Sequence, residues 1–462
     1  MTLMNRKQVI GLFGGVAAAV VIYTLPLEGL TQQGQMCLSL TIMTVLFWAF
    51  QVAQAGYVSG LLLALFVIFR VAEPEVVFYS WTGTTMYLIV GAYLIAAAVK
   101  NSGLGNRISY WFILRFMSSY RSVIISVFFM TLILSLIIPH PWPRAFLIMS
   151  VMSEVIENAR VPRKDAVSIG YSVFAASVPI SCIFLTGDST INPLAVQYSG
   201  LELGWFGWLK LMGVPCAASS VLTCVAFLLF FRPSQPMTID KQAAEKKLHE
   251  MGHLSQTEIR AAIWLTIAVI LWMTDSLHGL DIGWITLAIA MLMSLPVVGE
   301  LLTPGSWSEV PTNVLLFITA AMAIGKVGAV TGMNEWIAST LLPGTIPSNP
   351  FVLAAFVATI SVIIHMLLGS VIAVMGVAVP AVLSYTSAMG INPLVPALWV
   401  FTAIVMHYVF PFQNMSILVG QGEKNGLYSS KETIRFSVPL LGITFVTIVV
   451  FQVLWWKILG IL

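Results

Sequence analysis

Long apolar runs recur along this sequence from end to end, and they limit its fold more than any other feature. A membrane-spanning helix needs about 20 mostly apolar residues, and residues 8–27 already supply such a run. Only 9% of the residues are charged, whereas a soluble domain carries roughly 25%. The sequence therefore predicts an all-α integral membrane protein that forms a single domain over residues 1–462.

About eleven transmembrane helices are predicted, together with two re-entrant helical hairpins. The hairpins are 122–158 and 350–386, two apolar stretches that proline or glycine interrupts near the middle. The predicted spans are 8–27, 36–54, 56–72, 84–99, 165–184, 205–231, 258–276, 279–298, 309–327, 392–411 and 436–460.

The distribution of Lys and Arg predicts the orientation, because loops on the cytoplasmic side carry an excess of both. We place Arg6 and Lys7 in the cytoplasm of a multi-pass protein of the plasma (inner) membrane. The basic loops then fall inside, and so does a polar linker at 233–257. The loops assigned to the outside, among them 73–83 and 185–204, contain no Lys or Arg. The C-terminus is then outside, and both hairpins must return to the side from which they enter.

Residues 84–231 and 309–460 repeat one order of elements: a span, an amphipathic stretch, a broken hairpin and a helix broken at a polar cluster. The amphipathic stretches, 104–118 and 333–343, fall on opposite sides of the membrane, so the two repeats are inverted. Inverted repeats with paired interrupted helices are typical of secondary transporters, whose substrate binds where the breaks meet.

The first hairpin has its tip at Pro139, where three prolines at alternating positions prevent a continuous helix. His140, Trp142 and Arg144 follow at this tip. An arginine inside the membrane points to function, and its planar guanidinium suits a carboxylate, phosphate or sulfonate. The alternative is that Arg144 pairs structurally with Asp188 or with backbone carbonyl groups.

The first broken helix contains one carboxylate, Asp188, in a polar cluster. A buried carboxylate suits a cation or proton site, whereas a salt bridge to Arg144 or an N-cap would make it structural. The other members of the cluster are Gly187, Ser189, Thr190 and Asn192.

The second half offers a small-residue tip, Gly369 and Ser370, and a broken helix with Gln413 and Asn414. Small residues let the backbone approach a ligand closely, although they serve helix packing equally well. The predicted substrate-binding residues are His140, Trp142, Arg144, Ser189, Thr190, Asn192, Gly369, Ser370, Gln413 and Asn414. The predicted ion-binding residues are Pro139, Gly187, Asp188, Ser370 and Asn414.

Motifs for catalysis are missing from the sequence. It has no metal-ligand spacing, phosphate-binding loop, dinucleotide-binding glycine pattern or catalytic triad motif, so we predict that it is not an enzyme. No cofactor is expected beyond Na⁺ or H⁺ as a coupling ion. The formal charge of +3 is too small to suggest a nucleic-acid partner.

At the tips and breaks the chain resembles the divalent anion:sodium symporter (DASS) family of the ion transporter superfamily. That family carries a Ser-Asn-Thr signature at each hairpin tip and a Gly-Thr-Pro-Pro-Asn pattern in each broken helix. Here the second tip, Ser370-Val371-Ile372, keeps only the serine, and the first tip, Pro139-His140-Pro141, keeps none of the signature. The broken-helix pattern corresponds loosely to Asp188–Asn192 and to Pro411–Asn414.

The resemblance implies a secondary active transporter of a small organic anion, such as a di- or monocarboxylate, that works by elevator-type alternating access. It also implies a homodimer in the lipid bilayer, with a scaffold at 8–72 and 258–298 and a mobile transport part that holds the hairpins. Na⁺ coupling is implied as well. A guanidinium beside the substrate could replace a Na⁺ electrostatically, so we hypothesise that Arg144 makes transport independent of Na⁺ or dependent on fewer ions.

Three other classes of protein remain open from the sequence. The first is a cation/proton antiporter of the same superfamily in which Asp188 carries the ion. The second is a channel, although two inverted broken hairpins favour a carrier. The third is a membrane-embedded enzyme, but nothing at the breaks pairs a nucleophile with a base.

Overall fold

The computed structural model describes residues 6–236, 241–341 and 347–462, and all regular structure in those ranges is helical. The predicted all-α membrane fold is thereby confirmed. Nine of the described helices are long and apolar enough to cross a bilayer. The division into eleven spans and two re-entrant hairpins stays a prediction.

The first half of the chain contains eleven α-helices in the described ranges. Those before the first hairpin are α1 (Arg6–Thr24), α2 (Gln32–Ala49), α3 (Ala55–Ile68), α4 (Pro74–Val77), α5 (Thr85–Ser102) and α6 (Leu104–Phe116). The hairpin and the helices after it are α7 (Tyr120–Ile137), α8 (Pro141–Asn158), α9 (Arg163–Ser181), α10 (Asn192–Ser199) and α11 (Trp205–Phe230).

The second half follows four connecting helices, α12 (Gln242–Glu250), α13 (Gln256–Met273), α14 (Asp275–His278) and α15 (Ile282–Leu292). Its helices are α16 (Thr312–Val330), α17 (Met333–Leu341), the hairpin α18 (Pro350–Leu368) and α19 (Val371–Thr386), α20 (Leu394–Val405), α21 (Met415–Val419), α22 (Ser430–Val446) and α23 (Val453–Leu459). A π-helical segment at Thr447–Gln452 joins α22 to α23.

The two halves have the same order of helices. The series α5, α6, hairpin, α9 with α10, and α11 corresponds to α16, α17, hairpin, α20 with α21, and α22 with α23. The amphipathic stretches form α6 and α17, although residues 342 and 343 of the second stretch lie outside the described residues.

Each half of the chain packs closely against a helix that precedes the other half. Helix α5 packs on α15, and α16 packs on α3. A Cβ at Gly91 would lie 2.9 Å from the Thr286 carbonyl oxygen, and one at Gly56 would lie 2.7 Å from the Asn313 Cα. Both crossings therefore require glycine, as close helix packing in membranes commonly does.

The polar linker predicted at 233–257 contains the helix α12, which packs on α6; residues 237–240 lie outside the described part. Arg107 of α6 pairs with Glu258, with an Nε–Oε1 distance of 2.7 Å. The same guanidinium donates to the backbone oxygens of Met251, Gly252 and His253. The linker is thus held against the first amphipathic helix.

Candidate functional site

Both hairpin tips and both helix breaks line one cavity of about 790 Å³ inside the helical bundle. The cavity extends to the end of the bundle at which α1 begins, where Lys7, Gln54 and Asn313 line it. The polar side chains nearer the tips and breaks are Tyr93, His140, Ser177, Ser181, Asp188, Thr190, Ser370, Gln413, Asn414 and Ser416.

The structure brings eight of the predicted site residues to this cavity and leaves five beside it. Those lining it are His140, Trp142, Asp188, Thr190, Gly369, Ser370, Gln413 and Asn414. The five buried residues that do not line it are Pro139, Arg144, Gly187, Ser189 and Asn192. Their individual roles stay predictions.

Arg144 lies between the first tip and the first break, where backbone carbonyl groups accept from its guanidinium. Its Nη1 donates to the carbonyl oxygens of Ile138, at 3.0 Å, and Gly187, at 3.1 Å. Its Nη2 donates to the Ser181 hydroxyl at 2.6 Å. The side chain is fully buried, and no ion pair within 4.0 Å joins it to an acidic group of the described residues. The sequence left several roles open for Arg144. Pairing with backbone carbonyl groups is the one that matches this geometry.

The segment that follows Gly187 is anchored to the first tip, and the Asp188 carboxylate caps it. Both the backbone N–H and the hydroxyl of Ser189 donate to the Pro139 oxygen, at 3.2 and 2.6 Å. Asp188 Oδ1 accepts the N–H groups of Thr190, at 3.0 Å, and Ile191, at 3.3 Å. Oδ2 of Asp188 has no hydrogen-bond partner among the described residues. This carboxylate therefore acts as a local cap while it lines the cavity.

The Nδ2 group of an asparagine bridges each broken helix, and Asn414 in addition caps α21 through its Oδ1. Asn192 Nδ2 donates to the carbonyl oxygens of Ser181, at 2.8 Å, and Phe184, at 2.9 Å. Asn414 Nδ2 donates to the oxygen of Val405 at 3.4 Å. Ser181 ends α9 and Val405 ends α20, so each amide contacts the last carbonyl before its break. The predicted correspondence of the two asparagines has this geometric basis.

The second tip presents the start of α19 to the cavity. Gly369 ends α18 with a φ of +66°, a conformation that favours glycine. Ser370 caps α19 by accepting the Ala373 N–H at 3.4 Å. The N–H groups of Val371 and Ile372 then remain at the positive end of the helix dipole, next to the cavity that both residues line.

The first tip lacks such donors. Two of the first three residues of α8 are prolines, which have no N–H. The remaining N–H, that of Trp142, donates to His140 Nδ1 at 3.3 Å. An anion in this cavity therefore meets backbone donors at the second tip and side-chain donors at the first.

The second break is held by a reciprocal pair, Gln413 and His365. Gln413 Oε1 accepts the N–H groups of Val409 and Phe410, both at 2.8 Å. Gln413 Nε2 donates to the His365 oxygen at 3.3 Å, and His365 Nε2 donates to the Gln413 oxygen at 3.2 Å. Helix α18 is thus tied to the second break, and His365 is a structural partner within the described residues.

Tyr93 of α5 is a site residue that sequence reasoning missed. Its hydroxyl lies 2.9 Å from His140 Nε2, and it lines the cavity. Because Nδ1 of His140 accepts from Trp142, a neutral ring carries its proton on Nε2 and donates to the Tyr93 oxygen. The Tyr93 O–H is then available for a ligand. The only sequence signal for this role was a tyrosine hydroxyl in the middle of the predicted span 84–99.

Three polar groups on the cavity wall have no hydrogen-bond partner among the described residues. They are Trp48 Nε1, Ser177 Oγ and Thr190 Oγ1. Buried polar groups nearly always find a partner, and exceptions call for an explanation such as a missing ligand. These groups, together with Tyr93, would suit an oxygen-rich ligand.

Comparison with known proteins matches nearly the whole chain to one family. The family described as the sodium:sulfate symporter transmembrane region matches residues 6–462. Dicarboxylate transporter 1 of Spinacia oleracea chloroplasts is 26% identical over 413 residues, which cover 84% of this chain and 70% of the plant protein. The sodium-dependent dicarboxylate transporter SdcS of Staphylococcus saprophyticus is 20% identical over 485 residues, covering 97% and 92%.

A solved structure shares the fold. The YdaH transporter of Alcanivorax borkumensis, whose crystal structure has an unusual topology, superposes with a TM-score of 0.55 over 98% of both chains at 12% identity. At that identity the likeness concerns the fold alone. It agrees with the all-α membrane architecture described above.

Proposed function

This chain belongs to the sodium:sulfate symporter transmembrane family, and from that membership we propose that it is a secondary active transporter of a small organic anion, most simply a dicarboxylate. The members of this family named above are transporters and not enzymes. The observation that carries the proposal is the single cavity on which both tips and both breaks converge. The names of two relatives, both dicarboxylate transporters, support the substrate class.

A dicarboxylate has complementary groups at the two ends of the site. One carboxylate would accept from the N–H groups of Val371 and Ile372 and from Ser370 at the start of α19. The other would accept from Tyr93 and Thr190 near the first tip. Charge-assisted hydrogen bonds of this kind are stronger than neutral ones, so the two ends together select for two carboxylates.

We further propose the orientation and the mode of transport. The N-terminus lies in the cytoplasm of the plasma membrane, so the cavity mouth at Lys7 faces inward. The scaffold of 8–72 and 258–298 holds still in a homodimer, and the hairpin-bearing part of 84–231 and 309–460 moves across the membrane. Inverted repeats support this alternating access, because each half can adopt the conformation of the other.

Uptake of labelled succinate into proteoliposomes tests the proposal. Wild-type protein should give saturable uptake that unlabelled succinate or malate competes away and that sulfate competes away less well. Ser370→Ala, which removes one donor at the second tip, should raise the KM about 3- to 10-fold, whereas Ser339→Ala, at an exposed serine of α17, should not. Uptake that never saturates would indicate a channel, and the absence of uptake of any carboxylate would refute the substrate class.

A further inference from the structure

We propose that an anionic phospholipid binds in the groove between α11 and α22, with its phosphate held by the guanidinium groups of Arg232 and Arg435. Helix α11 ends just before Arg232, and Arg435 lies in the second turn of α22, which packs on α11. Neither arginine lines the cavity at the hairpin tips. The inference goes beyond the proposed function and does not depend on the identity of the substrate.

Aromatic side chains bring the two arginines to the same end of the groove. The ring centroids of Phe231 and Phe436 lie 5.8 Å apart, and these residues neighbour Arg232 and Arg435 in the sequence. The guanidinium carbon of Arg435 lies 5.6 Å from the centroid of the Phe230 ring, a distance typical of a cation–π contact. A cationic side chain of α22 thus reaches across the groove to the last residue of α11.

The chain around Arg232 is held in place by hydrogen bonds from both sides. The Tyr120 hydroxyl donates to the Phe231 oxygen at 3.0 Å. Two residues after Arg232, Ser234 donates through its N–H and its hydroxyl to the buried carboxylate of Asp165, each at 3.0 Å. The position of Arg232 is therefore set by α7 and α9, and the acid beside it is engaged by neutral donors.

Both guanidinium groups keep most of their donors free for a ligand. Neither forms an ion pair within 4.0 Å among the described residues, and their one hydrogen bond there runs from Arg232 Nε to the Leu229 oxygen at 3.4 Å. Glu432, one turn before Arg435, accepts instead from the N–H and hydroxyl of Ser429. The planar donors of arginine match the oxygens of a phosphate group.

Apolar surface on the same two helices suits the acyl chains of a lipid. Val225 and Leu229 are exposed one turn apart on α11, and Leu229 is 65% exposed. Val438, Gly442 and Val446 follow at the same spacing on α22, where Val438 is 76% exposed and a Cβ at Gly442 would meet nothing within 4 Å. A ligand that matches the whole groove therefore has an anionic head and apolar tails, whereas inorganic phosphate matches only the head.

The place of the groove in the membrane agrees with a lipid as its occupant. The arginines lie at the end of the bundle that we propose is cytoplasmic, where basic pockets between transmembrane helices bind anionic headgroups. Lys431, which is exposed one turn before Arg435 on α22, adds positive charge on the same side of the helix.

Lipid binding to the purified full-length protein tests the proposal. Its unfolding temperature is measured in detergent during titration with dioleoylphosphatidylglycerol, with dioleoylphosphatidylcholine and with inorganic phosphate. Phosphatidylglycerol should raise the unfolding temperature saturably by several degrees, and the other two should have less than about a third of that effect. An equal effect of phosphatidylcholine would overturn the role of the charge, and an equal effect of inorganic phosphate would overturn the lipid as occupant.

A double variant, Arg232→Gln with Arg435→Gln, assigns the effect to the groove. It should weaken the apparent affinity for phosphatidylglycerol at least about tenfold, because it removes charge-assisted donors. Its unfolding temperature without phosphatidylglycerol should stay within about two degrees of wild type, since both side chains are exposed. Arg115→Gln with Arg121→Gln removes the same charge from exposed positions of α6 and α7 and should bind like wild type.

Native mass spectrometry gives a second readout that does not depend on thermal stability. Wild type and the control should retain a phosphatidylglycerol molecule through detergent exchange, and the Arg232 and Arg435 double variant should lose it. Wild-type affinity and retention in that variant, or an equal loss in the control, would contradict the proposed site.

Discussion

Asp188 is the acidic side chain that lines the cavity next to the first break, and its charge bears directly on which ligand can bind. One carboxylate oxygen caps Thr190 and Ile191, and the other has no partner among the described residues. A fixed negative charge opposes a carboxylate ligand, and the opposition grows where water is excluded. The same carboxylate is what a cation/proton antiporter would need, so its substitution separates the two functions.

Asp188→Asn should preserve transport of succinate and lower its KM by up to about tenfold, because repulsion is removed while the cap is kept. The measurement is the KM of labelled succinate uptake in proteoliposomes. Asp281→Asn is the matched control, since Asp281 caps α15 by accepting the Gly283 N–H at 2.6 Å and is exposed. Complete loss of transport in Asp188→Asn, together with loss of proton movement, would favour the antiporter.

Tyr93→Phe should raise the KM for succinate about 5- to 30-fold, which corresponds to one or two lost hydrogen bonds in a buried site. The substitution removes the hydroxyl that faces the ligand and leaves His140 Nε2 without its acceptor. Tyr110→Phe is the control, because the Tyr110 hydroxyl donates to Glu154 at 2.9 Å and does not line the cavity. An unchanged KM in Tyr93→Phe would remove Tyr93 from the site.

Individual residues of the site could be predicted only in part. Gln413, Asn414 and Ser370 stand out in the sequence because polar groups at membrane depth need a reason to be there. Tyr93 does not stand out, since tyrosines in membrane-spanning helices commonly pack against neighbouring helices. Pairing of Arg144 with backbone carbonyl groups was one of the predicted alternatives, but its partners could not be predicted, because they depend on how the end of α7 and the first break lie relative to each other.

At the scale of helices, the breaks in α9 and α20 are the elements that create the site. Each break frees backbone groups that lipid cannot satisfy, and an asparagine after the break pairs with the last carbonyl before it. The hairpin tips approach these breaks through Ser189 and through His365 with Gln413. The tips and the breaks thus depend on each other for their hydrogen bonds.

Asn192→Ala should lower the free energy of unfolding by about 1–3 kcal/mol, because it leaves two buried carbonyl oxygens unpaired. The unfolding temperature of the purified protein measures this. Asn414→Ala should also lower it, because it removes both the 3.4 Å bond to Val405 and the Oδ1 cap of the Ser416 and Ile417 N–H groups. Asn106→Ala, at an exposed position of α6, is the control. Equal stability of Asn192→Ala and the control would contradict the bridging role.

Most helices could be predicted because the sequence patterns that indicate them are strong and local. Pro139 and Gly369 end helices for steric reasons. Most helix ends lie within about five residues of the predicted ones, and the ends of α15 and α20 and the start of α22 differ by about six. The helix α12 within the linker was not anticipated. It is mostly polar, and its docking depends on long-range contacts such as that of Arg107 with Glu258, which no local pattern reveals.

At the scale of the whole molecule, the cavity opens toward one end of the bundle, at which α1 begins. Both hairpin tips and both breaks line this same cavity. In the proposed mechanism the inverted repeats supply the second state, because the two halves would exchange conformations. The proposed carrier therefore needs no gate beyond the movement of the hairpin-bearing part relative to the scaffold.

A cryo-EM structure of the full chain in lipid nanodiscs, prepared with saturating succinate in sodium chloride, tests the central claim most directly. The account predicts succinate density in the cavity between the start of α19 and Tyr93, with the Arg144 guanidinium against the oxygens of Ile138 and Gly187. Saturating succinate without density in this cavity, or succinate density only elsewhere on the protein, would contradict it.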